Sequence, residues 1–216
     1  MARKVIDNHK GISVPMRGKF VTFEGIDGCG KTTVSKLVLR RLQKDKVKAV
    51  WTCEPTKSWL GAAVKRGWDE KVGVFTESFL FMADRAEHVD EICGLMGKGK
   101  TVLCDRYIDS TLAYQAAGVD DDLTSGMMDW LRRTHMPFLL LPDLTLYIRV
   151  TPETGLSRMS GRKGRTKFEK LAFLRKVARN YDVLADAEPK RIKVVDGSGA
   201  LDGVVERCLA EIGKLL

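Results

Sequence analysis

The residues Gly25-Ile26-Asp27-Gly28-Cys29-Gly30-Lys31-Thr32 carry the spacing G-x-x-x-x-G-K-[ST]. Glycines at those intervals let the main chain wrap an anion with its N–H groups pointing inward. Lys31 is then placed to reach the β- and γ-phosphates, and the Thr32 hydroxyl, followed by Thr33, to ligate Mg²⁺. The run lies between an apolar stretch and a helical pattern, so a helix N-terminus adds its positive dipole end to the same place. The combination reads as a nucleoside triphosphate site spanning Gly25 to Thr33, with Mg²⁺.

A second cluster, Asp105-Arg106-Tyr107, follows the apolar run Thr101–Cys104. A carboxylate there can hold Mg²⁺ directly or through water, and the adjacent arginine can bind a second phosphate brought beside the first. Positioning and charge neutralisation are most of what phosphoryl transfer requires. The pair therefore argues for transfer between two nucleotides rather than hydrolysis. The chain has no N-K-x-D guanine reader, and its third strand does not end Asp-Glu, which excludes the common GTPase and ATP-driven motor patterns.

The elements that must position these groups follow from periodicity. Strands are predicted at Lys19–Glu24, Val47–Thr52, Thr101–Cys104, Pro142–Val150 and Ile192–Val195. Helices are predicted after Lys31, over Glu77–Cys93, Asp109–Ala117 and Leu123–Arg133, after the N-cap Thr151 with Pro152 at the first helical position, and at the C-terminus. In Glu77–Cys93 the residues Phe79, Met82, Ala83, Ala86, Val89 and Ile92 are expected on one buried face. Strands alternating with helices imply an α/β fold: a five-stranded, mostly parallel sheet covered on both faces. Ligands then bind at the carboxyl ends of the strands, where residues 25–33, 53–58, 105–115 and 151 onward lie.

Composition sets the frame. The chain has 216 residues, 44% hydrophobic and 30% charged, which suits one globular domain (residues 19–216) behind an N-terminal tail of residues 1–18. No run approaches the ~20 apolar residues of a membrane span. The N-terminus shows neither a signal-like apolar core nor a cleavage site, so a cytoplasmic location and no membrane partner are expected. The five cysteines form no CxxC pair, and neither a zinc site nor a disulfide framework is expected. The net charge is +9, but nine basic residues against one Glu fall between Arg158 and Arg179. One concentrated segment points to a local anion such as a nucleotide phosphate, not to a nucleic-acid face.

With these residues in view, the chain resembles the thymidylate kinase family of P-loop nucleoside-monophosphate kinases. The segments that carry the resemblance are FEGIDGCGKTT (23–33), TCEPTKSWLG (52–61), LFMADRAEH (80–88), DRYIDSTLAYQ (105–115) and KFEKLAFLRKVARNY (167–181). The resemblance implies transfer of the ATP γ-phosphate to dTMP, with Mg²⁺. It implies that Phe81 stacks on the thymine ring while Arg85 bonds its O4, and positions i and i+4 do share a helix face. It assigns the acceptor phosphate to Arg106, the base and sugar pocket to Glu54, Thr111, Tyr114 and Gln115, and a positioning role to Asp27. It also reads the basic segment (about 158–168) as a lid carrying the catalytic arginine. Arg162 and Arg165 are favoured there over Arg158, and Phe168 closes over the acceptor. A homodimer is implied as well.

Two positions depart from the family pattern. Cys53 stands where an arginine usually precedes Glu54-Pro55, and Lys65 stands where an acceptor-phosphate arginine is usual. Lysine keeps the charge but lacks the bidentate fork. These departures leave open a kinase of another pyrimidine monophosphate, such as dUMP. A non-catalytic nucleotide- or nucleic-acid-binding module is the remote alternative.

Overall fold

The computed structural model describes residues 4–6, 13–15, 17–159 and 167–216. In chain order the elements are β1 (Lys4–Ile6), β2 (Ser13–Pro15), β3 (Phe20–Glu24), α1 (Lys31–Lys44), β4 (Ala49–Cys53), α2 (Trp59–Glu70), α3 (Val74–Gly97) and β5 (Thr101–Asp105). They continue with α4 (Ile108–Ala117), a 3₁₀ turn (Asp121–Leu123), α5 (Thr124–His135), β6 (Leu144–Arg149), α6 (Pro152–Arg158), α7 (Lys167–Ala187), β7 (Ile192–Asp196) and α8 (Leu201–Gly213).

Five strands form one wholly parallel sheet in the order β4-β5-β3-β6-β7, as the alternating pattern predicts. Every residue of β3 and β5 is buried, so both faces of the sheet are covered by helices. The chain leaves β3 toward β4 on one side and later reaches β6 on the other. The carboxyl end of β3 is therefore the place where strand order reverses and a crevice opens. Gly25–Gly30 leaves β3 at that point, Glu54 follows β4, Arg106 follows β5, and Thr151 follows β6.

Two features depart from expectation. Helix α2 has no counterpart in the periodicity, because it contains Gly61 and Gly67, each costing about 1 kcal/mol relative to alanine in a helix. Ser58 nevertheless caps it by accepting from the Gly61 amide at 3.2 Å, and a Cβ at Gly61 would sit 2.2 Å from the Thr56 carbonyl oxygen. The buried face of α3 is also rotated from the apolar stripe: Phe79 is exposed, while Ser78, Asp84, Arg85 and His88 are buried with Val89, Ile92 and Met96. Charged partners from other elements overrule the hydrophobic pattern there. Within the N-terminal segment, β1 pairs antiparallel with β2, and the amides of Arg17 and Gly18 donate to the Met96 carbonyl at the end of α3.

Candidate active site

The phosphate loop is shaped by its main chain. Gly28 has φ +79° and Gly30, the N-cap of α1, has φ +95°, both in the left-handed region. A Cβ at Gly28 would lie 2.1 Å from the Gly155 carbonyl oxygen, so the loop is seated directly on α6. Lys31 is buried, its Nζ donating to the Ile26 carbonyl at 3.2 Å and lying 4.0 Å from Asp27 Oδ1. Burial first, then the neighbouring Arg106, pushes the Lys31 ammonium pKa below its usual value. The ammonium is thus held without a strong partner, which suits it to an incoming anion.

Thr32 donates its hydroxyl to Asp105 Oδ2 at 2.5 Å, joining α1 to the end of β5. The other oxygen, Asp105 Oδ1, is buried and has no hydrogen-bond partner among the described residues. A buried unpartnered carboxylate oxygen beside a threonine hydroxyl, at the mouth of a phosphate loop, fits a hard cation that takes oxygen ligands. Mg²⁺ keeps most of its shell from water and phosphate, so two protein oxygens suffice.

Arg106 links this loop to the rest of the site. Its φ of +68° is unusual for a residue with a side chain. The turn is held from both sides: the Arg106 amide donates to the Phe23 carbonyl at 3.0 Å, and the Tyr107 amide donates to Glu24 Oε1 at 2.8 Å. The guanidinium is ion-paired with Asp27, donates to Ser110 Oγ at 3.3 Å and lies 5.0 Å from the centre of the Tyr114 ring. Glu24 also accepts from Ser110 Oγ at 2.5 Å and from the Tyr181 hydroxyl at 2.9 Å. Burial first, then the nearby Asp109 carboxylate, pushes the Glu24 carboxyl up to about 7.

Beyond Arg106 lies a cavity of about 590 Å³, the right size for a nucleotide. Asp27, Glu54, Phe81, Arg85, Arg106, Thr111, Tyr114 and Gln115 all line it, together with Pro55, Trp68, Glu77, Tyr107, Ser110 and Phe173. Phe81 faces Trp68 with ring centres 6.2 Å apart, and Trp68 donates to Glu77 at 2.6 Å. On the opposite wall Tyr114 meets Phe173 at 6.2 Å. Two aromatic walls of this kind suit a flat base.

The floor is ionic. Arg85 is only 1% exposed and donates from Nε (3.0 Å) and Nη2 (2.5 Å) to Glu54 Oε2. Thr111 Oγ1 accepts from Nη2 at 2.9 Å, and His88 Nδ1 lies 3.0 Å from Glu54 Oε1. Burial works to raise the Glu54 carboxyl, but Arg85 and His88 outweigh it and hold the pKa low.

The structure therefore gathers residues 25–33, 54, 81, 85, 105, 106, 111, 114 and 115 into one crevice. Lys65 is exposed on α2 and does not line the cavity. Arg162 and Arg165 lie outside the described residues, as does the side chain of Phe168. The site also contains Glu24, Trp68, His88, His135, Phe173 and Tyr181, to which the sequence pattern alone gives no individual role. Only the position of Glu24, ending a strand against the phosphate loop, could have signalled it; the others come from elements that meet only in the fold.

A parallel α/β sheet carrying a phosphate loop at its switch point, with a nucleotide-sized cavity joined to that loop by an arginine, defines a P-loop kinase. Residues 23–208 match the family model described as thymidylate kinase. A probable thymidylate kinase of Methanosarcina acetivorans is 39% identical over 199 residues, covering 91% of this chain and 96% of that protein. A thymidylate kinase of Ligilactobacillus salivarius is 37% identical over 213 residues, covering 93% of this chain and all of the relative. The chain belongs to the thymidylate kinase family.

Proposed function

We propose that the protein transfers the γ-phosphate of ATP to dTMP, giving dTDP and ADP. The observation that carries this reading is the junction at Arg106, where a triphosphate loop and a base-sized cavity share one guanidinium. An acceptor with its base on the Arg85 floor would place its phosphate toward Arg106 and the loop. An acceptor phosphate oxygen is already anionic at neutral pH, so no general base is required. It attacks the γ-phosphorus while the bridging bond to the β-phosphate breaks, and the leaving electron pair stays on ADP. The protein's part is alignment and charge balance.

Lys31 neutralises the β/γ-phosphates, and the amides of residues 28–33 cradle them. Asp27 fixes the Arg106 guanidinium, which pins the acceptor phosphate; Lys65, exposed on α2 and outside the cavity lining, is an acceptor-phosphate candidate by resemblance alone. Thr32 and Asp105 would hold Mg²⁺, which when bound offsets phosphate charge. Phe81 stacks on the base, Arg85 reads its carbonyl, Thr111 and Gln115 line the pocket, and Tyr114 crowds a ribose 2′-hydroxyl. Arg162, Arg165 and Phe168 are assigned to the lid by resemblance alone. A single domain over residues 19–216, a cytoplasmic location and a homodimer complete the reading. Among the described residues no helix is long and apolar enough to cross a membrane.

The test is coupled ADP release with ATP, Mg²⁺ and dTMP, beside dUMP, dCMP, UMP and no acceptor. Release that depends on dTMP is the expected result. Equal rates with several acceptors would replace dTMP by a wider acceptor class, and turnover without any acceptor would overturn the kinase assignment.

A further inference from the structure

His135 closes α5, 50 residues from Arg85 in the chain, and is fully buried. Its Nδ1 lies 2.6 Å from the Leu131 carbonyl oxygen, one turn back on the same helix. A carbonyl can only accept, so Nδ1 carries the ring proton. The other ring nitrogen, Nε2, therefore offers a lone pair, and Arg85 Nη1 donates to it at 2.9 Å. Burial first, then the Arg85 charge, depresses the His135 pKa to about 4, so the ring is neutral at physiological pH. Phe138 packs against it, with ring centres 5.5 Å apart.

The donors of Arg85 can be accounted for one by one. Of its five N–H groups, Nε and one on Nη2 go to Glu54, the second on Nη2 goes to Thr111, and one on Nη1 goes to His135. A single N–H on Nη1 has no protein acceptor among the described residues, and Arg85 lines the cavity. Four fixed bonds leave the guanidinium no freedom to rotate.

We propose that His135 is a positioning residue that sets base specificity: by accepting from Nη1 it aims the last N–H of Arg85 into the cavity, so the base must present a carbonyl oxygen there and not an amino group. The inference rests on the dTMP reading and deepens it, because thymine carries an oxo group where cytosine carries an amine. An amino group would set donor against donor, and a site with a buried unpaired donor rejects such an analogue strongly. Without the lone pair, one more N–H of Arg85 is unpartnered and the guanidinium can tilt.

The experiment measures kcat and KM for dTMP and dCMP in the full chain and in two variants. His135→Leu keeps the bulk without an acceptor, and His135→Gln offers a carbonyl oxygen in place of Nε2. His135→Leu is expected to raise the KM for dTMP about tenfold, leave kcat within about twofold, and lower the dTMP-to-dCMP ratio of kcat/KM at least about tenfold; His135→Gln restores most of that ratio. The ratio is independent of the fraction of folded enzyme, so a purely structural role would not move it. An unchanged ratio in His135→Leu, or no recovery in His135→Gln, overturns the proposal. Should His135→Leu not fold, ¹⁵N spectra of the three histidines in the wild-type chain decide. The proposal requires neutral His135 with its proton on Nδ1 at pH 6; protonated Nε2 overturns it. A wild-type enzyme inactive on dTMP would instead count against the function, while the tautomer still reports on His135.

Discussion

The phosphate loop and the base cavity meet at the Asp27–Arg106 pair, yet they are held in opposite ways. The loop is shaped by main chain in left-handed conformations, pressed onto α6 so closely that a Cβ at Gly28 would strike the Gly155 carbonyl. The cavity floor is shaped by side chains from three helices and the segment after β4, where Glu54, Arg85, Thr111 and His135 satisfy one another in a buried interior. A backbone-built site tolerates few substitutions, and its distant contact at Gly155 is a close backbone approach and not a charge pair. A site built from buried charge depends on every partner, because removing one leaves another desolvated and unpaired.

The contrast can be broken most sharply at its two cations. Lys31→Ala is expected to lower kcat about 10³-fold while dTMP affinity, read by calorimetry, changes less than about threefold. Arg106→Ala should lower kcat/KM for dTMP comparably and also weaken dTMP binding, yet leave thymidine binding intact. If Lys31→Ala weakens dTMP as much as ATP, the two halves are not separable.

Stability should separate them next. Glu54→Gln leaves Arg85 short of its counter-ion and is expected to cost about 3–5 kcal/mol by urea unfolding. Gly28→Ala, strained by about 1–3 kcal/mol, should lose ATP affinity about tenfold with dTMP binding retained. Equal losses of stability in both variants would erase the distinction.

The pH dependence of stability sharpens it further, because the two halves hold groups shifted in opposite senses. Glu24, raised from 4.5 to about 7, stabilises the fold fully below pH 4.5, and that contribution is lost as pH rises to 7. His135, lowered from 6.5 to about 4, stabilises the fold above pH 6.5, and that contribution is lost as pH falls to 4. Each is worth on the order of 3 kcal/mol over its window. Glu24→Gln should therefore steepen the loss of stability on acidification from pH 6.5 to 4.5, because only the His135 contribution remains. A slope unchanged from wild type would show that Glu24 is not shifted.

The smallest expected effect tests Lys65. Lys65→Arg restores a bidentate fork and should lower the KM for dTMP about twofold to threefold. An unchanged KM would remove Lys65 from the acceptor site.

Sequence legibility followed the same division. Gly25–Thr33 and Asp105-Arg106 were readable because their spacing encodes backbone geometry and strand ends, which are local properties. The parallel sheet was readable because each strand is a short apolar run bounded by turns. Helix α2 is not, since two glycines mask its period, and the apolar stripe of α3 misses its buried face in the first half because Arg85, Asp84 and His88 look like surface residues until their partners are known. His135 carries no local signal at all, and Tyr181 is marked only as the end of the family-like segment 167–181.

By itself, the sequence determined the α/β class, the phosphate loop, the Asp105-Arg106 strand end and the family resemblance, because each depends on residues near one another in the chain; that Thr32 meets Asp105, 73 residues away, was decided by the fold. Tertiary structure decided how the acceptor half works: that Arg85 is clamped with one N–H to spare, that Arg106 turns on Glu24, and that Lys65 stands outside the cavity. Those outcomes depend on which distant side chains share a low-dielectric interior, where a charge is stable only beside its partner.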